Sequence, residues 1–336
     1  MNNILVTGGA GFIGSNFIPN FLEQNKQYHI INLDKLTYAG ELSNLKKLES
    51  SNRYTFVKGD ICNRTLLENL FKEFQFTGVI HFAAESHVDN SISNPGAFID
   101  TNITGTFNLL DVAKSNWMDA PNKVKELFKN SRFHHISTDE VYGTLGETGL
   151  FTENTPYAPN SPYSASKASS DFIVRSYFHT YGMNVVTTNC SNNYGPKQHD
   201  EKLIPTIIRK AIFGEEIPIY GDGKNIRDWL YVLDHCKGIG NVFLNGISGE
   251  TYNIGGKNER NNLYIANTIC AILDDVLPKK TSYKNQISFV KDRPGHDFRY
   301  AIDASKIENK LGWQADENFE SGIKKTVNWY LDKYSK

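Results

Sequence analysis

Two short stretches of the sequence carry the side chains best suited to moving protons. Thr138, Asp139 and Glu140 follow an apolar, β-prone run, and Tyr163 and Lys167 come later in the chain, four positions apart. A spacing of four places two side chains on the same face of a helix. A phenol beside an ammonium can act as a base, and two adjacent carboxyls seldom ionise together, so that one of them stays an acid. The two stretches therefore predict an acid–base catalytic site.

The start of the chain has the pattern of a dinucleotide-binding unit. A short strand at 3–7 leads into glycines at 8, 11 and 14, and a helical pattern follows at 16–24. Glycines in such a turn let the backbone approach a pyrophosphate, which binds at the N-terminus of the helix. The strand, the glycine turn and the helix together predict a dinucleotide cofactor.

Asp34 indicates which dinucleotide is bound. It ends the second strand, 20 residues after Gly14, where an acidic residue accepts a hydrogen bond from the adenosine ribose 2′-OH. A carboxylate there would repel a 2′-phosphate, so we predict NAD rather than NADP. The alternative is that Asp34 only caps a turn, and the neighbouring Lys35 weakens the preference for NAD.

Strands and helices alternate through the first half of the chain. Apolar runs predict further strands at 54–60, 79–84, 133–138 and 185–189, with a helical pattern at 99–113 between two of them. This alternation predicts an α/β fold with a Rossmann-type doubly wound parallel sheet, whose ligands bind beyond the carboxyl ends of the strands. After Pro196 the alternation weakens.

The bulk properties exclude several classes of protein. The 336 residues carry a formal net charge of −1, which argues against a nucleic acid or an anionic membrane as a partner. The sequence contains no apolar run of about 18 residues and no signal-peptide pattern, so a cytoplasmic location is expected. The four cysteines have no paired spacing, so we expect reduced thiols and no metal site.

Taken together, the glycine loop and the Tyr163/Lys167 pair resemble the extended branch of the short-chain dehydrogenase/reductase superfamily. Longer motifs are similar to the dTDP-glucose 4,6-dehydratase family, and these lie at 34–40, 83–89, 138–140, 189–196, 225–229 and 292–297. The resemblance covers the chain from about Asn3 to Leu311. It implies an NAD-binding Rossmann domain over 1–190, completed by pieces from the second half, and a smaller, predominantly nucleotide-sugar-binding α/β domain over 191–336.

The resemblance also implies a reaction. NAD, tightly bound, would serve the dehydration of dTDP-glucose to dTDP-4-keto-6-deoxyglucose, for deoxysugar synthesis such as that of rhamnose. Tyr163, as a phenolate favoured by Lys167 and the nicotinamide, would take the proton of the sugar 4-OH, and Thr138 would hydrogen-bond the 4-oxygen. Glu140 would remove the C5 proton, and a protonated Asp139 would donate to the departing 6-OH.

The predicted binding residues extend beyond these catalytic groups. The cofactor contacts are expected at Gly8, Gly11, Phe12, Ile13, Gly14, Asp34, Lys35, Leu36, Thr37, Asp60, Ile61, Ala83, Ala84, Thr101, Tyr163 and Lys167. The substrate contacts are expected at Ser86, Thr138, Asn192, Lys202, Leu203, Arg227, Asn262, Arg293, His296 and Tyr300. Arg227 and Arg293 are candidates for the substrate diphosphate, because a guanidinium matches phosphate oxygens bidentately. A surface ion pair, for instance between Arg293 and Asp292, is the alternative.

Two other functions stay open. A nucleotide-sugar 4-epimerase of the same branch would share Tyr163 and Lys167 but would not be expected to carry the Asp-Glu pair. A non-catalytic NAD-binding regulator would keep the glycine loop and lose the catalytic residues. The nucleotide base, dTDP against UDP or CDP, is also open, and the stretch at 197–200 departs from the family pattern. The family implies a homodimer, formed through the helices at 99–113 and 163–181.

Overall fold

A computed structural model gives the structure of the protein and describes residues 1–292 and 296–335. Its strands are numbered in chain order. They are β1 (Asn2–Thr7), β2 (Tyr28–Asp34), β3 (Tyr54–Lys58), β4 (Gly78–His81), β5 (Met118–Ala120), β6 (Lys123–Val124), β7 (Arg132–Thr138), β8 (Val185–Cys190), β9 (Asn192–Tyr194), β10 (Ile217–Tyr220), β11 (Ile226–Tyr231), β12 (Thr251–Ile254), β13 (Glu259–Asn261) and β14 (Ile287–Val290).

The helices alternate with these strands. They are α1 (Phe12–Gln24), α2 (Arg64–Phe74), α3 (Val88–Ser93), α4 (Pro95–Phe98), α5 (Thr106–Trp117), α6 (Pro162–Tyr181), α7 (Leu203–Phe213), α8 (Val232–Asn245), α9 (Asn262–Val276), α10 (Ser305–Leu311) and α11 (Phe319–Tyr334). A π-helical stretch, Ile99–Gly105, precedes α5, and short 3₁₀ segments include Asp139–Tyr142. No helix in the described ranges is both long enough and apolar enough to cross a bilayer.

A seven-stranded parallel sheet organises the molecule. Its strands lie in the order β12-β8-β7-β4-β1-β2-β3. The strand order reverses between β1 and β4, and this switch point opens a crevice at the carboxyl ends of the strands. The predicted α/β fold with a Rossmann-type doubly wound sheet is therefore confirmed.

Helices cover both faces of this sheet. Because side chains alternate along a strand, Ile4 and Val6 of β1 pack with α1 and α8, whereas Leu5 packs with α2 and α5 on the opposite face. His81 at the end of β4 is 1% exposed, and its ring bonds Thr7 and Thr106. It is a core histidine.

A smaller layer is built from the second half of the chain. It contains a three-stranded sheet in the order β13-β11-β9, the parallel pair β10-β14, and the helices α7, α9 and α11 around a shared core. The helix α11 is part of this core, since Phe319, Ile323, Val327 and Tyr330 are all fully buried. The strand β12 and the helix α8 join the large sheet unit, and the division at residue 190 stays a prediction.

Candidate active site

The carboxyl end of β7 carries the first group of predicted catalytic residues. Thr138 begins the 3₁₀ segment that follows, and its Oγ1 accepts a hydrogen bond of 3.3 Å from the backbone N–H of Glu140. The Thr138 hydroxyl in turn donates to Oδ1 of Asp139 at 3.4 Å. This cap turns the chain sharply after the strand, so that three polar side chains lie at the edge of the crevice.

Asp139 has the properties of an acid that stays protonated. It is 2% exposed, and its Oδ2 has no hydrogen-bond partner among the described residues. Burial raises its pKa well above the ordinary value, and the charges of Glu140 and Asp228 raise it further, against a smaller opposing effect of Arg227. The surroundings of Asp139 therefore favour the protonated form of this carboxyl.

The helix α6 carries the second group. Ser161 and Ser164 form a capping box and Pro162 occupies the first turn, which fixes the start of the helix immediately before Tyr163. Tyr163 and Lys167 are both buried on the inward face of α6. The Lys167 ammonium donates a 2.8 Å hydrogen bond to the carbonyl of Ile136 in β7.

The charged groups of the protein alone do not favour the ionised form of the Tyr163 phenol. Burial raises the pKa of Tyr163 well above its ordinary value, and Glu140 raises it further. Burial also lowers the pKa of Lys167. The predicted phenolate therefore depends on the positive charge that a nicotinamide brings, more than on the nearby ammonium.

The turn after β1 fits a dinucleotide diphosphate. Gly8 has a φ of +72°, and a Cβ there would lie 2.6 Å from the backbone nitrogen of Ala83. A Cβ on Gly14 would lie 2.6 Å from the carbonyl oxygen of Gly8, so both glycines permit close backbone packing. Gly11 begins α1 without a side-chain cap, which leaves the N–H groups of the first helical turn to a ligand.

Asp34 lies beside this turn. Its Oδ2 accepts from the backbone N–H of Ala10 at 2.9 Å, and its Oδ1 accepts from that of Leu36 at 2.8 Å. A carboxylate has about four lone-pair positions, so two such bonds leave capacity for a ribose hydroxyl. Lys35 forms a 2.8 Å ion pair with Asp60, which places both of them at the same rim.

One cavity of about 340 Å³ brings most of the predicted site together. It is lined by all the predicted catalytic residues and by every predicted cofactor residue except Leu36. The predicted substrate residues that line it are Ser86, Thr138, Asn192 and Lys202. The lining thus joins the glycine turn, the Asp34 rim and the proton-transfer groups in a single space.

The other predicted substrate residues lie outside the cavity lining, and Arg293 lies outside the described residues. Arg227 on β11 and Tyr300 form a second cluster, in which the Arg227 guanidinium is 4.2 Å from the centre of the Tyr300 ring. The His296 ring pairs with Asp292 at 2.6 Å. Burial and then Glu140 raise the pKa of Tyr300, so this cluster adjoins the catalytic carboxyls. Asn262 begins α9 behind it, and Leu203 begins α7.

Some cavity residues were not found from the sequence. They include Glu85, Cys190, Ser191, Asn193, Gln198, His199 and Glu201. The motif at 189–196 follows the carboxyl end of β8 and gave a signal for Ser191 and Asn193. No sequence signal pointed to Asn102, which donates to Ser166 Oγ at 2.9 Å and to the Glu85 carbonyl at 3.0 Å. This residue ties the loop after β4 to the catalytic helix.

Comparison with known proteins gives the family. The GDP-mannose 4,6 dehydratase family profile matches residues 5–326. A protein of Xanthomonas campestris pv. campestris (strain B100), named dTDP-glucose 4,6-dehydratase, is 56% identical over 97% of this chain and 92% of its own length. The chain belongs to the dTDP-glucose 4,6-dehydratase family. The resemblance seen in the sequence is thus confirmed over nearly the whole length.

Solved structures agree with this family assignment. The dTDP-glucose 4,6-dehydratase of Bacillus anthracis str. Ames, crystallised in complex with NAD, has a TM-score of 0.88 at 46% identity, covering 100% of this chain and 98% of that chain. A UDP-glucose 4-epimerase of Thermotoga maritima has a TM-score of 0.85 at 26% identity, covering 99% of each chain. Because both activities share the fold, the side chains have to separate the dehydratase family from the epimerases.

Proposed function

We propose that the protein is an NAD-dependent dTDP-glucose 4,6-dehydratase that converts dTDP-glucose into dTDP-4-keto-6-deoxyglucose. The observation that carries this proposal is the buried Asp139, whose Oδ2 has no hydrogen-bond partner among the described residues, next to Glu140 in the cavity that Tyr163 also lines. Epimerisation at C4 requires no proton transfer at C5 or C6. An acid and a base side by side, beyond the oxidising pair, are what an elimination of water requires.

Tyr163 and Thr138 serve the first half of the reaction. NAD, when bound, supplies the acceptor for the C4 hydride and later returns that hydride to C6. Tyr163 takes the proton of the 4-OH, and the Thr138 hydroxyl holds the 4-oxygen. Lys167, fixed to β7 through the Ile136 carbonyl, keeps α6 at a set position relative to Thr138.

Asp139 and Glu140 serve the second half. A ketone at C4 acidifies the hydrogen at C5, and Glu140 removes it. Asp139 then donates its proton to the 6-oxygen, which leaves as water. The low exposure of Asp139 matters here, since a solvated carboxyl would be ionised at neutral pH and could not donate.

The remaining parts of the proposal concern binding and context. The glycine turn and the first turn of α1 hold the NAD diphosphate, and Asp34 accepts from the adenosine ribose. Arg227, in the cluster that adjoins Glu140, contacts the substrate diphosphate. All four cysteines are free, which suits a reducing cytoplasm. The product would feed a deoxysugar pathway such as that of rhamnose.

A product assay tests the function directly. The purified protein is incubated separately with dTDP-glucose, UDP-glucose, CDP-glucose and GDP-mannose, and the sugars are identified by NMR. We expect a 4-keto-6-deoxy sugar, formed fastest from dTDP-glucose. Recovery of dTDP-galactose would indicate epimerisation, and bound NAD without turnover would indicate a regulator. Either result would refute the proposal.

We also propose a homodimer formed through the outer surfaces of α6 and of the stretch at 99–113. Three large apolar side chains there are unusually exposed: Phe172 at 58%, Ile99 at 54% and Phe107 at 42%. Exposed aromatic side chains on adjacent helices are typical of a surface that packs against a second copy.

A further inference from the structure

Asp171 lies one helical turn after Lys167 on α6 and is held in a cage of hydrogen bonds. His135 lies 2.9 Å from Oδ1, and the Ser137 and Tyr157 hydroxyls donate to Oδ2 at 2.8 and 3.0 Å. Asp171 is 5% exposed. Two of these partners belong to β7, the strand that leads into Asp139 and Glu140, so the cage joins β7 to α6 close to the site.

The other ionisable groups that act on Lys167 are neutral. Burial lowers the pKa values of His81 on β4 and His135 on β7 well below their ordinary values, and the Lys167 charge lowers both further. Burial raises the pKa of Cys190 on β8 far above neutrality, and that of Tyr163 on α6 is raised likewise. Asp171 and Cys190 are the side chains that raise the pKa of Lys167, and Asp171 has the larger effect. Of these two, Asp171 is the one that can be an anion at neutral pH, since its own pKa is about 6.

We propose that Asp171 is a positioning residue that acts as the buried counter-charge of Lys167 and keeps its side chain an ammonium. A lysine taken out of water loses its proton unless an anion compensates for the lost hydration. The Ile136 carbonyl contributes a dipole and no net charge. The fixed four-residue spacing on α6, together with the three partners of the carboxylate, places a full negative charge close by.

The titration of Asp171 limits the pH range in which this residue can act as the counter-charge of Lys167. Burial raises the pKa of Asp171 to about 6, while Lys167, Ser137 and Tyr157 oppose that rise. Above this pH the carboxylate is ionised and supports the ammonium. Below it the carboxyl is neutral, and Lys167 loses its counter-charge. This inference rests on the proposed function for its catalytic meaning, but the charge pair itself can be measured without any substrate.

The test is an NMR titration of the protein labelled with ¹³C at the lysine ε-carbons, with Lys167→Met used only to assign the resonance. In Asp171→Asn we expect the Lys167 pKa to fall by roughly one to two pH units, the size of the effect of a unit charge at about 6–12 Å with an effective dielectric constant near 20. Asp332→Asn removes the same charge from an exposed position on α11 and should shift nothing. An unchanged Lys167 pKa in Asp171→Asn overturns the proposal.

Tyr157→Phe separates charge from packing. It removes one hydrogen bond from the cage but leaves the carboxylate ionised at the alkaline pH where Lys167 titrates, so the Lys167 pKa should stay as in the wild type. The same variant should raise the pH of a second, acidic inflection of the Lys167 resonance, which reports the titration of Asp171. If Asp171→Asn does not fold, the acidic inflection of the Lys167 resonance provides the test. Its absence from both the wild type and Tyr157→Phe would contradict the proposal that Asp171 is the counter-charge of Lys167.

Enzyme activity is measured separately from the NMR titration of Lys167. Asp171→Asn should lose activity at the alkaline end of the pH profile earlier than the wild type does, with little change in KM for the sugar nucleotide. If the wild type itself forms no 4-keto-6-deoxy sugar, the proposed function fails while the titration result stands. If the wild type is active and the titration shows no shift, only the role of Asp171 is lost.

Discussion

The Lys167 ammonium and the Ile136 carbonyl are joined by a 2.8 Å hydrogen bond between α6 and β7. This contact lies two residues before Thr138, so the helix that bears the phenol is fixed to the strand that leads directly into the carboxyl pair. The predicted reacting groups are thus placed by α6, by the end of β7 and by the 3₁₀ segment Asp139–Tyr142 that follows it, as a precise catalytic geometry requires. Conservative substitutions at these positions should therefore change the chemistry and leave the fold intact.

Tyr163→Phe should abolish oxidation at C4. The substitution keeps the ring in its buried position and removes only the oxygen that takes the 4-OH proton, so we expect a loss in kcat of about 10²- to 10⁴-fold. Formation of the keto sugar and transient formation of the reduced nicotinamide should both disappear. Tyr181→Phe at the end of the same helix serves as the control and should keep wild-type activity. Undiminished turnover in Tyr163→Phe would remove the phenol from the mechanism.

Glu140→Gln should allow oxidation and block elimination. The amide cannot accept the C5 proton, so the reaction should stop at the 4-keto sugar with the cofactor reduced. Single-turnover absorbance of the reduced nicotinamide should rise and persist, whereas in the wild type it should decay. Glu147→Gln, an exposed position in the following loop, is the matched control. A transient that decays at the wild-type rate would show that another group is the base.

Asp139→Asn should change how stability depends on pH. Because the folded protein raises the Asp139 pKa, the unfolded chain releases this proton first, and the wild type loses stability as the pH rises above about 4 towards the folded-state pKa. Asparagine does not titrate, so the unfolding free energy of the variant relative to that of the wild type should rise by up to about 1.4 kcal/mol per pH unit in this window.

Denaturant melts at several pH values measure this difference, and Asp119→Asn, an exposed position, provides the comparison. The variant should also be slow in elimination, since an amide cannot donate the acid proton. A stability difference that stays constant with pH would mean that Asp139 is ionised in the folded protein.

Phe172→Glu should give a monomer. Phe172 is 58% exposed on the outer face of α6, and a carboxylate there would have to be desolvated on association with a second copy. Phe213 on α7 is 59% exposed, so Phe213→Glu matches the change in charge and exposure on a different surface. Light scattering should report a dimer for the wild type and Phe213→Glu. A dimeric Phe172→Glu would place the interface elsewhere.

The sequence predicted the parts of the fold that depend on local pattern. The strands that end in Asp34, His81 and Thr138 were visible because apolar runs stop at polar or small residues at the sheet edge. The strand β12 was not, since Thr251–Ile254 is a run of four residues whose strand conformation comes from pairing with β8. Periodicity over so short a stretch carries little information.

The candidate site likewise has features that the sequence predicted and features that it did not. Motifs located the predicted catalytic residues that meet in one cavity, because their chemistry requires particular side chains at fixed spacing. The cage around Asp171 and the bridge from Asn102 to Ser166 were invisible, because their members are far apart in the chain and meet only through packing. The neutral phenol of Tyr163 was also unforeseen, since the burial that raises its pKa is a property of the folded protein.

Substitutions in the glycine turn should separate folding from cofactor binding. Gly8 has a φ of +72°, and a Cβ there would lie 2.7 Å from the Ala83 Cα. Gly8→Ala should therefore lower the unfolding free energy by about 1–3 kcal/mol. Gly11 has a φ of −74°, and the nearest described atom to its Cβ would be the Gly8 carbonyl oxygen at 3.3 Å. Gly11→Ala should therefore lose less stability than Gly8→Ala, because its backbone is unstrained and one tight contact has to relax.

The added methyl group of Gly11→Ala nevertheless occupies space at the start of α1, where the cofactor diphosphate would approach the helical N–H groups. Calorimetry should find weaker NAD binding in Gly11→Ala, while denaturant melts of the NAD-free protein should shift less than those of Gly8→Ala. In Gly8→Ala the melts themselves should shift. Equal NAD affinity in Gly11→Ala and wild type would mean that the diphosphate does not lie against this turn.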